Sequence, residues 1–222
     1  MSRGDSSMVE HPIQSEDGGS IPTSPLHFNE KPTLRAEDWF VQAVPLKTAQ
    51  DMVREHHYAR GGSNTAVYTH GLFYKNDLLC VDLPKCRGIV WWLPPTRVAC
   101  ESVNKGSWRR VLSLTRMVLL PDVPRNAASF LLSRSVKMIR KDGRFDTLVT
   151  YADESQGHTG GVYKASNWAY IGRTGPYPRW LDSTGKQVAQ KATKNRVKSE
   201  MEALGHIKVG SFHKHKYVLE LK

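Results

Sequence analysis

A strand that ends in a carboxylate and runs into a glycine-rich turn decides how this chain is expected to fold. The stretch is TLVTYADESQGHTGGVYKASNW, residues 147–168. Residues 147–151 predict a strand, Asp153 follows its carboxyl end, and glycines at 157, 160 and 161 lead into a helix over about 159–167. Because open α/β sheets bind ligands where strands end, the stretch predicts a functional site at this turn.

The turn collects side chains that can move protons. Asp153, Glu154, Ser155, His158 and Tyr163 are expected to converge on one rim, and Asp, His and Tyr all serve as general acids or bases. The three glycines permit close approach of the backbone to a substrate. An ordinary strand-to-helix junction with capping residues is the alternative interpretation.

Strands and helices alternate on both sides of this stretch. The predicted strands cover residues 40–45, 67–74, 89–93, 112–120, 147–151, 169–172 and 216–221. The predicted helices cover residues 48–58, 126–142, 159–167 and 196–204, with Asn126 as a cap. The order predicts an α/β fold with a mixed central sheet flanked by helices.

The 222 residues are expected to form a tail and one domain. Residues 1–36 are rich in Ser, Gly, Pro and acids, which predicts a disordered or loosely attached tail. Residues 37–222 then form one catalytic domain with a basic extension from about residue 175. Three cysteines without metal-binding spacing, no secretory leader and no long apolar run predict a cytoplasmic protein that does not enter membranes.

The charge points to a polyanionic partner. The net charge is +11, and because residues 1–30 carry −4, residues 31–222 carry +15. Such an excess favours nucleic acid, and a charge distribution that only keeps the protein soluble is the alternative interpretation. The side chains expected to follow the phosphates of a nucleic acid are Lys191, Lys194, Arg196, Lys198, Lys214 and Lys216. Trp91, Trp92 or Trp108 could stack on a base, although core packing suits any single tryptophan better.

Two further motifs hold candidate site residues. In the pair His56–His57, only one imidazole is expected to face a given site, and His57 with Tyr58 lies closer to the flexible glycine loop that follows. Arg116 lies within a hydrophobic strand, so it needs either a structural carboxylate or an anionic ligand. The sequence has no dinucleotide-binding glycine fingerprint, Walker A loop, nucleophile elbow or deaminase zinc motif.

In order along the chain, these motifs resemble the Mom family of phage DNA-modification proteins. The resemblance rests on residues 56–58, 114–117 and 124–129, and on 151–153 followed by 157–168. It implies an acyltransferase-like (GNAT-like) fold. It further implies an enzyme whose partner is double-stranded DNA. That enzyme converts the exocyclic amine of adenine in the DNA to a carbamoylmethyl form and so protects the DNA from host restriction. The family's functional positions correspond to Arg116, Ser129, Asp153, Tyr163 and one histidine, taken as His57.

The donor of the transferred group stays open. An acyl-coenzyme A would bind at the start of the helix near Arg125 and Asn126, but Ala128 and Phe130 replace the small residues that let a pyrophosphate approach. Iron is a further possibility, because two histidines and a carboxylate suit that metal. No metal ligands are assigned.

Two other functions compete with DNA modification. A GNAT acyltransferase acting on a small molecule or protein would bind acyl-coenzyme A, which the missing glycines disfavour. A DNA-binding protein without enzymatic activity would explain the charge but not the Asp153, His158 and Tyr163 rim. The sequence leaves the oligomeric state open.

Overall fold

A seven-stranded mixed sheet carries the turn at residues 153–161. The computed structural model describes residues 31–79, 84–188, 193 and 196–221. The strands are β1 (Trp39–Ala43), β2 (Tyr68–Tyr74), β3 (Gly88–Leu93), β4 (Val111–Leu119), β5 (Thr147–Asp153), β6 (Ala169–Arg173), β7 (Tyr177–Leu181), β8 (Ile207–Phe212) and β9 (Lys214–Glu220). The helices are α1 (Leu46–His56), α2 (Arg97–Glu101), α3 (Ala127–Asp142), α4 (Gly161–Ala165) and α5 (Lys198–Ala203).

The strand order in the large sheet is β1-β2-β3-β4-β5-β9-β6, and β7 and β8 form a separate two-stranded sheet. Only β4 and β5 pair in parallel among the described strands. A parallel pair needs a crossover connection, and α3 supplies it. The order confirms the predicted mixed central sheet flanked by helices, which is the GNAT-like architecture.

Helices cover the sheet on two sides. The apolar face of α3, which includes Leu131, Leu132 and Ile139, packs in one cluster with residues of β2 to β5. The face of α1 that carries Ala49 and Val53 packs in another cluster around Ile89. Two layers of helix therefore bury the middle of the sheet and leave its ends free to carry a site.

The stretch after β6 differs most from the prediction. No strand was predicted within residues 175–195, but β7 forms there and pairs antiparallel with β8, which was not predicted either. The alternation of apolar and polar residues that marks a strand is weak in both: β8 is largely exposed, and Pro178 interrupts β7. Packing of Tyr177 and Trp180, both buried, stabilises this small sheet instead.

Other expectations also need correction. The folded body begins before residue 37, because Thr33 bridges to Arg125 and the Leu34 amide donates to the Arg125 carbonyl at 3.0 Å. Residues 1–30 lie outside the described residues. Asn126 precedes α3 in the left-handed conformation without a side-chain cap. Trp91 and Trp92 are fully buried in the core, so they cannot stack on a base.

None of the helices in the described part of the chain has the length and apolar character needed to cross a membrane.

A buried polar network ties α3 to the sheet. The Ser135 hydroxyl accepts a hydrogen bond from Trp92 Nε1 at 2.8 Å and lies 2.7 Å from His70 Nδ1. All three side chains are buried. Buried polar groups are costly unless each finds a partner, so this single hydroxyl satisfies two groups of the sheet at once.

We expect Ser135→Ala to lower the free energy of unfolding by about 1–3 kcal/mol, since it leaves Trp92 Nε1 and His70 Nδ1 without their partner. The matched control is Ser133→Ala on the exposed side of α3, which loses only a bond to the Phe130 carbonyl. Denaturant titration of both variants measures the difference. Equal stability of the two would show that the network contributes nothing.

The same network makes stability depend on pH. Burial lowers the pKa of His70 to about 4, whereas the unfolded chain has a value of roughly 6.5. Between these two pH values the unfolded chain therefore binds a proton at His70 that the folded chain does not. The free energy of unfolding is highest above the unfolded pKa and falls by up to about 3 kcal/mol as the pH drops through the folded pKa. Denaturant titrations across this range should show a shallower fall for His70→Asn than for the native chain.

Candidate functional site

The sheet opens between β4 and β5. Their pairing runs from Val111 opposite Thr147 to Leu114 opposite Thr150. Beyond that point β4 continues along β3 and β5 continues along β9. A bulge coincides with the opening: Trp91 and Trp92 face Arg116 and Leu114, so Thr115 is the extra residue. A bulge bends its strand, and here it turns β4 away from β5.

Two cavities lie at this opening. The smaller one, about 420 Å³, is lined by 114–117 of β4, 150–152 of β5, and the turn 157–163. The larger one, about 980 Å³, is lined by 58–63, by residues 184–188 after β7, and by Asp153 and Lys214. Tyr58 and Arg116 line both cavities, so the two spaces adjoin each other.

Asp153 ends β5 at the junction and is 6% exposed. One carboxylate oxygen, Oδ1, accepts hydrogen bonds from the Ser155 amide at 2.9 Å and from the Tyr177 hydroxyl. The other, Oδ2, accepts no hydrogen bond from the described residues, and the Lys214 ammonium lies 4.0 Å from it. The first oxygen therefore holds the carboxylate in place, and the second is left to accept a proton or a hydrogen bond from a ligand.

Tyr177 is a site residue that the sequence did not reveal. It begins β7, and its hydroxyl also lies 3.2 Å from Ser155 Oγ. Burial and the neighbouring Asp153 raise the pKa of Tyr177, so its hydroxyl stays protonated and donates to the carboxylate. Arg179, two residues on, donates to the Ser155 carbonyl at 2.7 Å. Only the small sheet brings these groups to Asp153.

Lys214 lies at the same junction. The antiparallel register places it directly opposite Asp153, and its ammonium is 4.9 Å from the centre of the Tyr177 ring. The sequence placed it among phosphate contacts. The structure instead makes it the cation nearest to the candidate carboxylate, in the wall of the larger cavity.

His57 and Tyr58 follow α1 and line the smaller cavity, whereas His56 is exposed beside Glu55. Burial, together with the nearby Arg116 and His158, lowers the pKa of His57 to about 4. The imidazole is therefore neutral near pH 7. Its Nδ1 accepts a hydrogen bond from the Ala59 amide at 3.0 Å, which places the ring proton on Nε2. His57 can thus donate a hydrogen bond to a ligand.

Tyr163 in α4 lines the smaller cavity and is buried. Burial raises the pKa of its hydroxyl, although a hydrogen bond with Thr150 on β5 opposes the shift. The start of α4 is fixed by Gly160, which has φ +79° and contacts the Tyr217 ring so closely that no Cβ fits. This glycine therefore sets the position of the Tyr163 hydroxyl at the opening.

Arg116 has no carboxylate within ion-pair distance among the described residues. Its guanidinium donates to the Gly61 carbonyl at 3.2 Å and to the Thr115 carbonyl at 2.7 Å. The first interpretation of this arginine, an ion pair with a structural carboxylate, therefore finds no such carboxylate among the described residues. The guanidinium stands in the walls of both cavities, where an anionic group of a ligand can reach it.

Ser129, Arg125 and Asn126 do not line either cavity. The Ser129 hydroxyl donates to the Asn126 carbonyl at 3.0 Å within the first turn of α3. Arg125 pairs through its backbone with residues 32–34. The catalytic role expected for Ser129 and the donor-binding roles expected for Arg125 and Asn126 stay predictions.

The other predicted DNA contacts differ in what they touch. Lys191 and Lys194 lie outside the described residues. Arg196 is exposed, Lys198 pairs with Glu202 at 3.5 Å, and Lys216 donates to Ser102 at 2.6 Å. Their contact with DNA stays a prediction.

The described residues contain no group of three or more His, Cys, Asp or Glu side chains placed to hold a metal ion.

Solved structures with a similar chain path include two N-acetyltransferases. One is spermidine N-acetyltransferase from Vibrio cholerae in complex with CoA and spermine, with TM-score 0.49, 7% identity, and coverage of 83% of this chain and 96% of that chain. The other is the ribosomal-protein-S18-alanine N-acetyltransferase from Escherichia coli, with TM-score 0.46, 10% identity, and coverage of 83% and 94%. Both TM-scores are below 0.5, so the strand order of the sheet and not this similarity defines the fold.

Sequence comparison is more specific. The chain is 32% identical over 139 residues to the methylcarbamoylase Mom of Escherichia phage Mu, an alignment that covers 60% of this chain. It spans only 53% of that relative's length. The model of the Mom protein family matches residues 38–222, which include both cavities and all the strands described above. The chain therefore belongs to the Mom protein family.

Proposed function

We propose that this chain is a DNA-modifying transferase that converts the exocyclic amine of adenine to a carbamoylmethyl form and protects phage DNA from host restriction. The observation that carries the proposal is Asp153: a buried, firmly held carboxylate whose Oδ2 is open at the junction of two cavities. Family membership and the name of the phage Mu relative support the choice of reaction.

The chemistry needs a base next to a weak nucleophile. The lone pair of the adenine amine is conjugated with the ring, so the amine attacks only if its proton is accepted as the new bond forms. In the proposed step the nitrogen bonds to the methylene carbon of an electrophilic carbamoylmethyl donor. The leaving group departs with the bonding electrons, and the amine proton passes to Asp153 Oδ2.

Each cavity suits one substrate. The larger cavity, which Asp153 and Lys214 line, would receive the adenine, and Lys186 and Arg60 give its wall a positive charge that suits the flanking phosphates. The base must leave the duplex stack, at a cost of roughly a few kcal/mol. The net charge of +15 on residues 31–222 supports a polyanionic substrate.

The smaller cavity would hold the donor. Neutral His57 offers Nε2–H to a carbonyl oxygen, and Tyr163 offers a protonated hydroxyl to a departing group. Arg116, shared by both cavities, would neutralise an anionic part of the donor or a phosphate of the DNA. An acyl-coenzyme A fits this space only if its pyrophosphate binds without the glycines that are absent from 125–130.

Mass spectrometry of nucleosides from the DNA of cells that express the chain tests the proposal. We expect an adenine adduct carrying an added carbamoylmethyl group, and a fall of at least about 100-fold in its amount with Asp153→Asn, because that change removes the base. The matched control is Glu101→Gln, which removes an exposed carboxylate paired with Arg97. Unmodified DNA together with transfer from acyl-coenzyme A to a small amine would favour the alternative acyltransferase.

The Tyr177 hydroxyl should matter for rate. We expect Tyr177→Phe to lower the modification rate about 10- to 100-fold, since Asp153 loses a charge-assisted hydrogen bond of about 1.5–3 kcal/mol. Tyr170→Phe, which removes an exposed hydroxyl near His215, serves as the control. Rates are compared at equal amounts of soluble protein. An unchanged rate in Tyr177→Phe would show that Tyr177 does not position Asp153 for the reaction.

A further inference from the structure

A second concave surface, which we call the α3 groove, lies apart from both cavities. It has a volume of about 480 Å³ and runs along the outer face of α3 opposite the turn that follows α4. Its walls include Phe130, Arg134, Lys137, Arg140 and Trp168. Trp168 packs on Tyr163, which lines the smaller cavity, so this aromatic pair lies between the groove and that cavity.

The groove is positively charged and unneutralised. Arg134, Lys137 and Arg140 are exposed, and none of them has a carboxylate within 4 Å among the residues that the structure describes. No acidic side chain is among its lining residues. Three like charges on one helix face repel each other, so an anionic partner gains binding energy by neutralising them.

The floor of the groove also holds polar atoms without partners. Ser166 Oγ and Trp168 Nε1 are buried and make no hydrogen bond among the described residues. A buried donor in this state is normally satisfied by a bound water or a ligand atom. Ser166 and Trp168 are both among the residues that line the groove.

The geometry favours a chain of phosphates over a single nucleotide. Arg134 and Arg140 are six residues apart, which is about 9 Å along the helix axis. A single phosphate group is too small to bridge that distance. The face of Phe130 is already covered by the Arg134 guanidinium, 5.1 Å from the ring centre, so it is not open for a base to stack. The groove therefore offers charge along a line and no site for a base.

From these observations we propose that the α3 groove binds the sugar-phosphate backbone of DNA, outside the site that modifies the base. The proposal extends the proposed function by adding a surface for the same polymer, but its test does not depend on modification. Backbone contacts of this kind fix the position of a protein on a duplex without reading its sequence. The cations involved are Arg134, Lys137 and Arg140.

The test is equilibrium binding of the full chain to a fluorescent duplex of about 20 base pairs, without any donor, over a range of salt concentrations. Lys137→Gln/Arg140→Gln should weaken binding roughly tenfold at low salt. It should also reduce the slope of log Kd against log salt by about 1.8, which is about 0.9 for each phosphate that the variant no longer neutralises. The control, Lys75→Gln/Lys85→Gln, removes the same charge from exposed positions outside the groove.

Three results would overturn the proposal. One is a slope in the groove variant equal to that of the control. Another is an equal loss of affinity in both variants, which would reflect net charge alone. The third is unchanged duplex binding together with abolished binding of pyrophosphate, which would make the groove a site for a small phosphate ester. If the chain leaves DNA unmodified but shows the expected slopes of log Kd against log salt, the proposed function is refuted and the proposed binding of DNA in the α3 groove stands.

Discussion

The bulge at Thr115 is the constraint on which the rest of the site depends. Main-chain pairing between β4 and β5 holds the middle of the sheet together, and it stops at Leu114 and Thr150, where the extra residue turns β4 aside. Each strand keeps its outer neighbour, so the sheet opens without losing its other hydrogen bonds. The opening puts Arg116 and Tyr163 in the walls of one cavity and gives the turn after β5 room for a ligand.

Burial of Asp153 follows from that opening and has a cost that the surrounding groups offset. An isolated carboxylate away from water is strongly disfavoured. Here a backbone amide and a protonated tyrosine donate hydrogen bonds to Oδ1, and a lysine ammonium lies 4.0 Å from Oδ2. A carboxylate held in this way keeps its geometry before a ligand arrives.

The small sheet of β7 and β8 supplies what the central sheet lacks. The central sheet ends at Asp153, and the strand pair inserted between β6 and β9 along the chain brings Tyr177, Arg179 and residues 184–188 to that end. The inserted segment also places the positive charge of Lys186 in the wall of the larger cavity.

The sequence by itself determined the elements whose signal is local. The strand that ends at Asp153, the amphipathic α3 and the seven strands of the central sheet all follow from periodicity and turn residues over short windows, and so does the α/β class. The ordered motifs also indicated the family. The sequence likewise placed Asp153, Tyr163, His57 and Arg116 among the candidates, and the structure brings these four to the same opening.

Only the tertiary structure decided which distant residues meet. Tyr177 and Lys214 reach Asp153 through the pairing of β7 with β8 and of β5 with β9, contacts between residues 24 and more positions apart. Hydrophobic periodicity states which face of a strand is buried but not which strand becomes its neighbour. The same limit hid the burial of Trp91 and Trp92, because an aromatic residue has the same local pattern in a core as on a binding surface.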